Sequence, residues 1–401
     1  MKMSSSLSKE AKILLLVGML YTTGFTIAST FVNVYLIRLT GNMGLMILQS
    51  MLNFITLLGA FLLGTVYIRK GSIVNLIRAG IIANIVYYSC ILLLKDNAGK
   101  YLILLGAFSG IGAGFYFFAF NILVSKLTKN DERPRFFSYQ QSFSYIFGVL
   151  APTISGYIIE RFTEFTGYYV LFTTTVCVLV LGIILSFMLN KVNSDNRYNV
   201  LPLLKLKNNK YWDANKYYNF SYGMREAIFG QIFTVFAYLI MTSENTVGRL
   251  SSLMSLIGIA SSLLIARKFT LKSQKKYYFI WAIVYLFSLS LSGIVAKPFA
   301  LVISYILNGI VFCWSMTIYS TMKYELSSRA VVDGHNDGDF IIACEFPMTL
   351  GRIVGLFVFL TLNYFFGGFN VYRLLLCAIS LIPLVDFYFI NKKVGWLSND
   401  D

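Results

Sequence analysis

The chain has 401 residues, 57% hydrophobic and 13% charged, with a formal net charge of +16. A soluble domain carries about a quarter charged residues, whereas here apolar runs recur that each match a hydrocarbon core of about 30 Å. These figures exclude a soluble globular domain. The runs lack the short alternation of a membrane barrel, so the fold class is an all-α polytopic membrane protein.

Twelve spans are expected, at 12–37, 45–67, 73–94, 101–124, 137–160, 167–189, 217–241, 248–266, 278–296, 299–322, 340–365 and 370–391. The leader "MKMSSSLSKEAK" is basic, but the apolar segment after it is too long for a signal-peptide core and no small-residue cleavage site closes it. Span one carries a polar stripe, Thr22, Thr26, Ser29 and Asn33, on one helix face. It either lines a cavity or bonds back to its own helix. Asn53, Asn84 and Asn121 add amides in spans two to four, and Gln140 and Gln141 in span five. The longest connection, 191–216, is basic and rich in Asn. It divides the chain into an N-terminal six-helix half, 1–190, and a C-terminal half, 217–401.

Span seven contains "GMREAIFG", with Arg225 and Glu226 side by side, and Tyr218, Tyr222 and Phe229 share a face near them. Those aromatics either form a pocket for an amphiphilic molecule or pack. His335 stands in "DGHNDGD" before span eleven, which lacks the length and final acid of a calcium loop; a solvated turn is the plainer reading. Span eleven carries Glu345, Pro347 and Arg352. The five cysteines, Cys90, Cys177, Cys313, Cys344 and Cys377, fall in apolar segments without a C-x-x-C pair and read as small hydrophobes.

Lys and Arg set the topology. With the N-terminus inside, 25 of the 34 basic residues fall on the inner side, 7 on the outer, and Arg225 and Arg352 lie within spans. The asymmetry places both termini in the cytoplasm and accounts for the positive charge without nucleic acid. Arg69-Lys70 and Arg267-Lys268 end spans two and eight alike, a faint internal repeat.

Two six-helix halves, a basic central loop and inner termini resemble the major facilitator superfamily. In "GTVYIRKGS", Gly64, Arg69 and Gly71 match the loop pattern G-x-x-x-D-R-x-G-R of that family, with Ile68 replacing the acid and Ser72 the last arginine. "GVLAPTISG" in span five is similar to the family's antiporter motif, G-x-x-x-G-P-x-x-G-G. Gly148, Ala151, Pro152, Ser155 and Gly156 keep one face small there, as close helix contact requires. "GMREAIFG" and "DFIIACEFPMTLGR" resemble paired signatures of a little-characterised Gram-positive branch. The resemblance implies a bacterial cell-membrane transporter, monomeric, moving a small-molecule substrate by rocking its two halves. The antiporter-like segment implies export in exchange for protons.

A charge at mid-membrane costs at least about 2.5–3.5 kcal/mol, so each needs a partner or water. Neighbours on a helix point about 100° apart, so Arg225 and Glu226 do not neutralise each other. Counted from the span starts, Glu345 lies about 8 Å deep, Arg225 about 12 Å, Glu226 about 14 Å and Arg352 about 18 Å. The expectation is a two-rung network in which Arg225 meets Glu345 and Glu226 meets Arg352. It either titrates during transport or clamps the helices. Pro347 removes the backbone bond to the carbonyl of Ala343 and predicts a kink.

No nucleotide loop, nucleophile elbow, metal set or cofactor motif occurs, so no enzyme and no cofactor are expected. Proton-coupled export of a small amphiphile is the leading expectation. A proton-coupled importer of a polar metabolite, a lipid flippase and a non-transporting receptor or scaffold are the alternatives.

Overall fold

The computed structural model describes residues 7–128, 133–193, 200–268, 273–332 and 337–395; His335 lies outside them. Twelve long helices follow one another: α1 Lys9–Thr40, α2 Met43–Tyr67, α3 Ile73–Leu94, α4 Leu102–Leu127, α5 Arg133–Arg161, α6 Thr166–Ser186, α7 Lys210–Met241, α8 Glu244–Lys268, α9 Gln274–Val295, α10 Pro298–Arg329, α11 Glu345–Phe366 and α12 Phe369–Val394. No strand occurs among the described residues. Among the described residues, nine stretches are long and apolar enough to cross a membrane, or ten if the two parts of α10, bent by 40° between Val311 and Trp314, count as one span. The protein is therefore a multi-pass α-helical membrane protein.

Local chemistry sets the helix ends. Ser8 Oγ accepts from Ala11 N at 3.1 Å and starts α1. Gly41, at φ 61°, ends it in the left-handed conformation that glycine adopts without a Cβ penalty. Asn42 then caps α2 through Leu45 N at 3.2 Å.

The chain forms two compact units. The first comprises Met1–Arg197 and Glu244–Arg249. Its tightest seam joins α4 to α2, where Gly106, Gly110 and Gly114 face the carbonyl oxygens of Gln49, Asn53 and Leu57, leaving no room for a Cβ. Without a hydrophobic force between helices in lipid, such backbone approach supplies the packing energy. Gly64 likewise faces the Phe118 ring and Gly71 the Tyr67 ring. Arg69 is exposed, while Ile73 N donates to Val192 O at 2.9 Å. On α5, Pro152 and Gly156 are buried and Gly148 is half-buried. Gly156 abuts the backbone of Glu244 and Asn245, and Gly248 abuts Pro152 O.

The second unit comprises Tyr198–Ser243 and Leu250–Asp401. Here α7 starts at Lys210, seven residues before the expected 217, so the basic connection is partly helical. Asn209 caps it by accepting from Trp212 N at 2.9 Å, and the buried Trp212 indole donates to Leu203 O at 2.8 Å. The indole needs both burial and an acceptor, and together these pull the helix start into the connection. α10 runs on to Arg329, past the expected end at 322. The expected kink near Pro347 is a break: residues Asp337–Ala343 form a separate helix, and Cys344 interrupts before α11 begins. Pro347 thus sits in the first turn of α11, where its missing N–H is harmless.

Candidate functional site

The site of interest lies within the second unit and is set by glycine. A Cβ on Gly223 of α7 would meet Met348 O, and one on Gly351 of α11 would meet Phe220 O. Gly355 continues this seam, since a Cβ there would meet Met224. Backbones this close bring the next outward-facing side chains together. Glu226 follows Gly223 by one turn, and Arg352 follows Gly351. Arg352 Nε donates to Glu226 Oε2 at 2.7 Å. The pair is uneven: the Arg352 side chain is 11% exposed and that of Glu226 42%.

The other expected rung does not form. Glu345 is taken by Lys323 of α10, Nζ to Oε1 at 3.6 Å. Arg225, one residue before Glu226, points about 100° away from it and is buried against α9. Its guanidinium stands over the rings of Trp281 at 4.5 Å, Tyr222 at 5.3 Å and Tyr285 at 5.4 Å. Three aromatic faces stabilise a desolvated cation without a carboxylate in contact. Arg225 therefore meets an aromatic cage where Glu345 was expected.

Tyr218 and Tyr222 are buried core residues, not the walls of an open cavity. Tyr222 stacks on Tyr319 at 3.6 Å. Tyr319 donates to Asn219 Oδ1 at 2.7 Å, and Asn215 donates to Ser327 Oγ at 2.9 Å. These bonds form a ladder along the N-terminal part of α7. In the first unit, Thr22 and Thr26 donate to Gly18 O and Thr22 O, each at 2.8 Å. The back-bonding alternative holds for both. Ser29 is half-buried, Asn33 buried and Asn121 exposed.

The first unit has its own buried carboxylate at the start of α8. Glu244 Oε1 accepts from Arg38 Nη1 at 2.6 Å and from Tyr168 OH at 3.0 Å, while Arg38 also lies over the Phe165 and Tyr168 rings at 5.7 Å each. An acid in a first helical turn is favoured by the helix dipole. Tyr168→Phe removes one donor and is expected to lower stability by about 1 kcal/mol. Arg38→Gln strips the buried acid of its cation and is expected to cost more. Thermal midpoints in detergent compare the two, and a larger drop for Tyr168→Phe would refute the assignment.

With this geometry in place, kinship can be read. The family model described as Major Facilitator Superfamily matches residues 14–211. Over that stretch, close to half of its length, the chain matches the major facilitator superfamily. An uncharacterized protein of Bacillus subtilis (strain 168), YqgE, is 27% identical over 369 residues, spanning 88% of this chain and 82% of that one. A crystallised mutant of the nucleoside transporter NupG superposes with a TM-score of 0.75 at 12% identity, over 97% of this chain and 100% of that one. A bacterial metal transporter superposes with a TM-score of 0.67 at 16% identity, over 98% and 100%. The structural likeness carries the fold alone. The protein is a facilitator-type membrane transporter, not an enzyme.

Three charged residues of this facilitator escaped sequence reasoning. Lys323 was assigned to an inner loop because span ten was ended one residue before it. Glu244 was placed in a loop before span eight. Asp386 lies inside span twelve and is 1% exposed; an ionisable residue in an apolar run was the signal for it. Its Oδ1 accepts from Ser221 Oγ of α7 at 2.5 Å.

Proposed function

We propose that this facilitator is a proton-coupled exporter of a small amphiphilic molecule, with Glu226 as the coupling carboxylate. The observation that carries the reading is the uneven Glu226–Arg352 pair. The acid is the more exposed partner, open for proton exchange in this reading, while Arg352 stays in the wall and feels each change of charge. Lys323–Glu345, two turns before Arg352 on α11, is a second pair that can respond. Export is supported by the small face of α5, whose Pro152 and Gly156 lie against the 244–249 backbone, as a close-contact motif requires. The reading includes twelve spans, both termini in the cytoplasm of a bacterial cell, and a monomer.

A second reading rests on the same pair. A neutral Glu226 leaves buried Arg352 in need of a counter-ion, and a substrate anion can supply it. Proton and anion then travel together, which is uptake of a polar metabolite. Purified protein in liposomes with an internal pH dye, challenged with amphiphiles, peptides and metabolites, distinguishes the two. Exchange moves protons against the substrate, and co-transport moves them with it. Substrate flux without a pH change would refute both, and lipid scrambling without flux would establish the flippase instead.

A further inference from the structure

Behind the Glu226–Arg352 pair, the second unit holds two more buried charges that do not touch. Asp386 of α12 is 1% exposed, and its Oδ2 has no hydrogen-bond partner. Arg225 of α7 is 5% exposed, and its Nη1 likewise has none. Ser221, which bonds Asp386, precedes Arg225 by four residues on α7, so the two charges lie on one face of that helix about a turn apart, yet no ion pair joins them among the described residues. The groups acting most strongly on Asp386 are Ser221, Arg225 and Tyr217 from α7 and Tyr278 from α9, with Tyr218 of α7 also within its field. Arg225 is the one cation among them. Opposite charges left apart in a low-dielectric interior are unfavourable, because each loses water without gaining an ionic partner. A carboxyl group that carries a proton removes the conflict. It needs no cation, and the guanidinium is left to the three aromatic faces that hold it.

We propose that Asp386 is a second proton-binding site, proton-bearing while Arg225 is held by Tyr222, Trp281 and Tyr285, and proton-free when the guanidinium turns to the carboxylate. Two features make the exchange feasible. Ser221 and Tyr217 line a groove of about 200 Å³ between α7 and α12, and Ser221 Oγ already bonds Asp386. The other walls of the groove are apolar, Phe220, Met224, Ala378, Leu381, Ile382 and Val385, so Ser221 is the hydroxyl through which a proton entering there would reach the acid. Arg225 and Glu226 are also consecutive on one helix, so a rotation of α7 that changes one partner changes the other. The site goes beyond coupling at Glu226 and adds a second proton to the cycle.

Infrared spectroscopy of the full-length protein in lipid, titrated with pH, tests this through the carboxylic-acid C=O band. The expected result is a band lost in Asp386→Asn, shifted in Ser221→Ala and retained in Glu226→Gln. In Arg225→Met it should persist to higher pH than in the native protein, because the cation that draws off the proton is gone. A native and an Asp386→Asn spectrum that coincide would overturn the proposal, as would a band that Ser221→Ala leaves unmoved. Should Asp386→Asn fail to fold, the Ser221→Ala shift decides. If Glu226→Gln abolishes substrate-driven proton flux while Asp386→Asn changes no band, coupling at Glu226 stands and the second site falls. The converse result keeps the second site and removes the first.

Discussion

Gly351→Leu is expected to leave little or no folded protein in the membrane, while Gly230→Ala is expected to be neutral or mildly stabilising. Both glycines sit in the apolar run of a helix, and in both positions glycine lacks helix propensity relative to alanine by about 0.8–1.0 kcal/mol. Their surroundings differ. Nothing lies within 4 Å of a Cβ on Gly230, whereas a Cβ on Gly351 would meet the carbonyl of Phe220. A flexible side chain can move aside, but a helical carbonyl cannot without parting α7 from α11. Overpacking costs about 1–3 kcal/mol in adaptable cores, and a backbone obstacle puts leucine at or above the top of that range. Size-exclusion profiles of the fluorescently tagged protein would read the outcome. A monodisperse Gly351→Leu protein would show that the seam is not what holds Glu226 to Arg352.

The second large effect is an asymmetry between the partners of that pair. Glu226→Gln is expected to destabilise more than Arg352→Gln. Removing Glu226 strips an 11%-exposed guanidinium of its carboxylate, whereas removing Arg352 leaves a carboxylate that is 42% exposed and less confined by protein. Breaking a buried pair so that a charge remains inside costs about 3–5 kcal/mol, while an exposed partner set free loses about 1 kcal/mol or less. Thermal midpoints of both single variants and of the exchanged double variant, Glu226→Arg with Arg352→Glu, give the comparison. The double variant should recover only in part, since it puts the carboxylate in the drier position. Equal losses in the two single variants would mean that exposure does not set the energetics.

The membrane class and the helix order were legible because hydrocarbon thickness fixes the length of each apolar run. The Glu226–Arg352 contact was legible because both helices run in the same direction and rise per residue gives relative depth. The Arg225–Glu345 rung failed for a reason depth cannot supply: azimuth. Arg225 faces α9, and which aromatic residues of α9 meet it depends on how the bundle closes. Lys323 escaped because polar and basic residues at a helix end look like a loop, although the helix continues for another six residues. Thr22 and Thr26 show another limit, since the sequence does not say that their hydroxyls bond back to Gly18 O and Thr22 O. Asp386 was legible in principle as a carboxylate within an apolar run. Its partners were not, because Ser221 gives no sequence sign of facing it.

The most direct test of proton coupling at Glu226 is the pH change inside liposomes on addition of a transported molecule, compared between the native protein and Glu226→Gln. The native protein is expected to move protons and substrate together in one experiment, and Glu226→Gln is expected to lose the proton movement while still inserting and folding. A Glu226→Gln protein that drives the same pH change at the same rate would contradict the assignment.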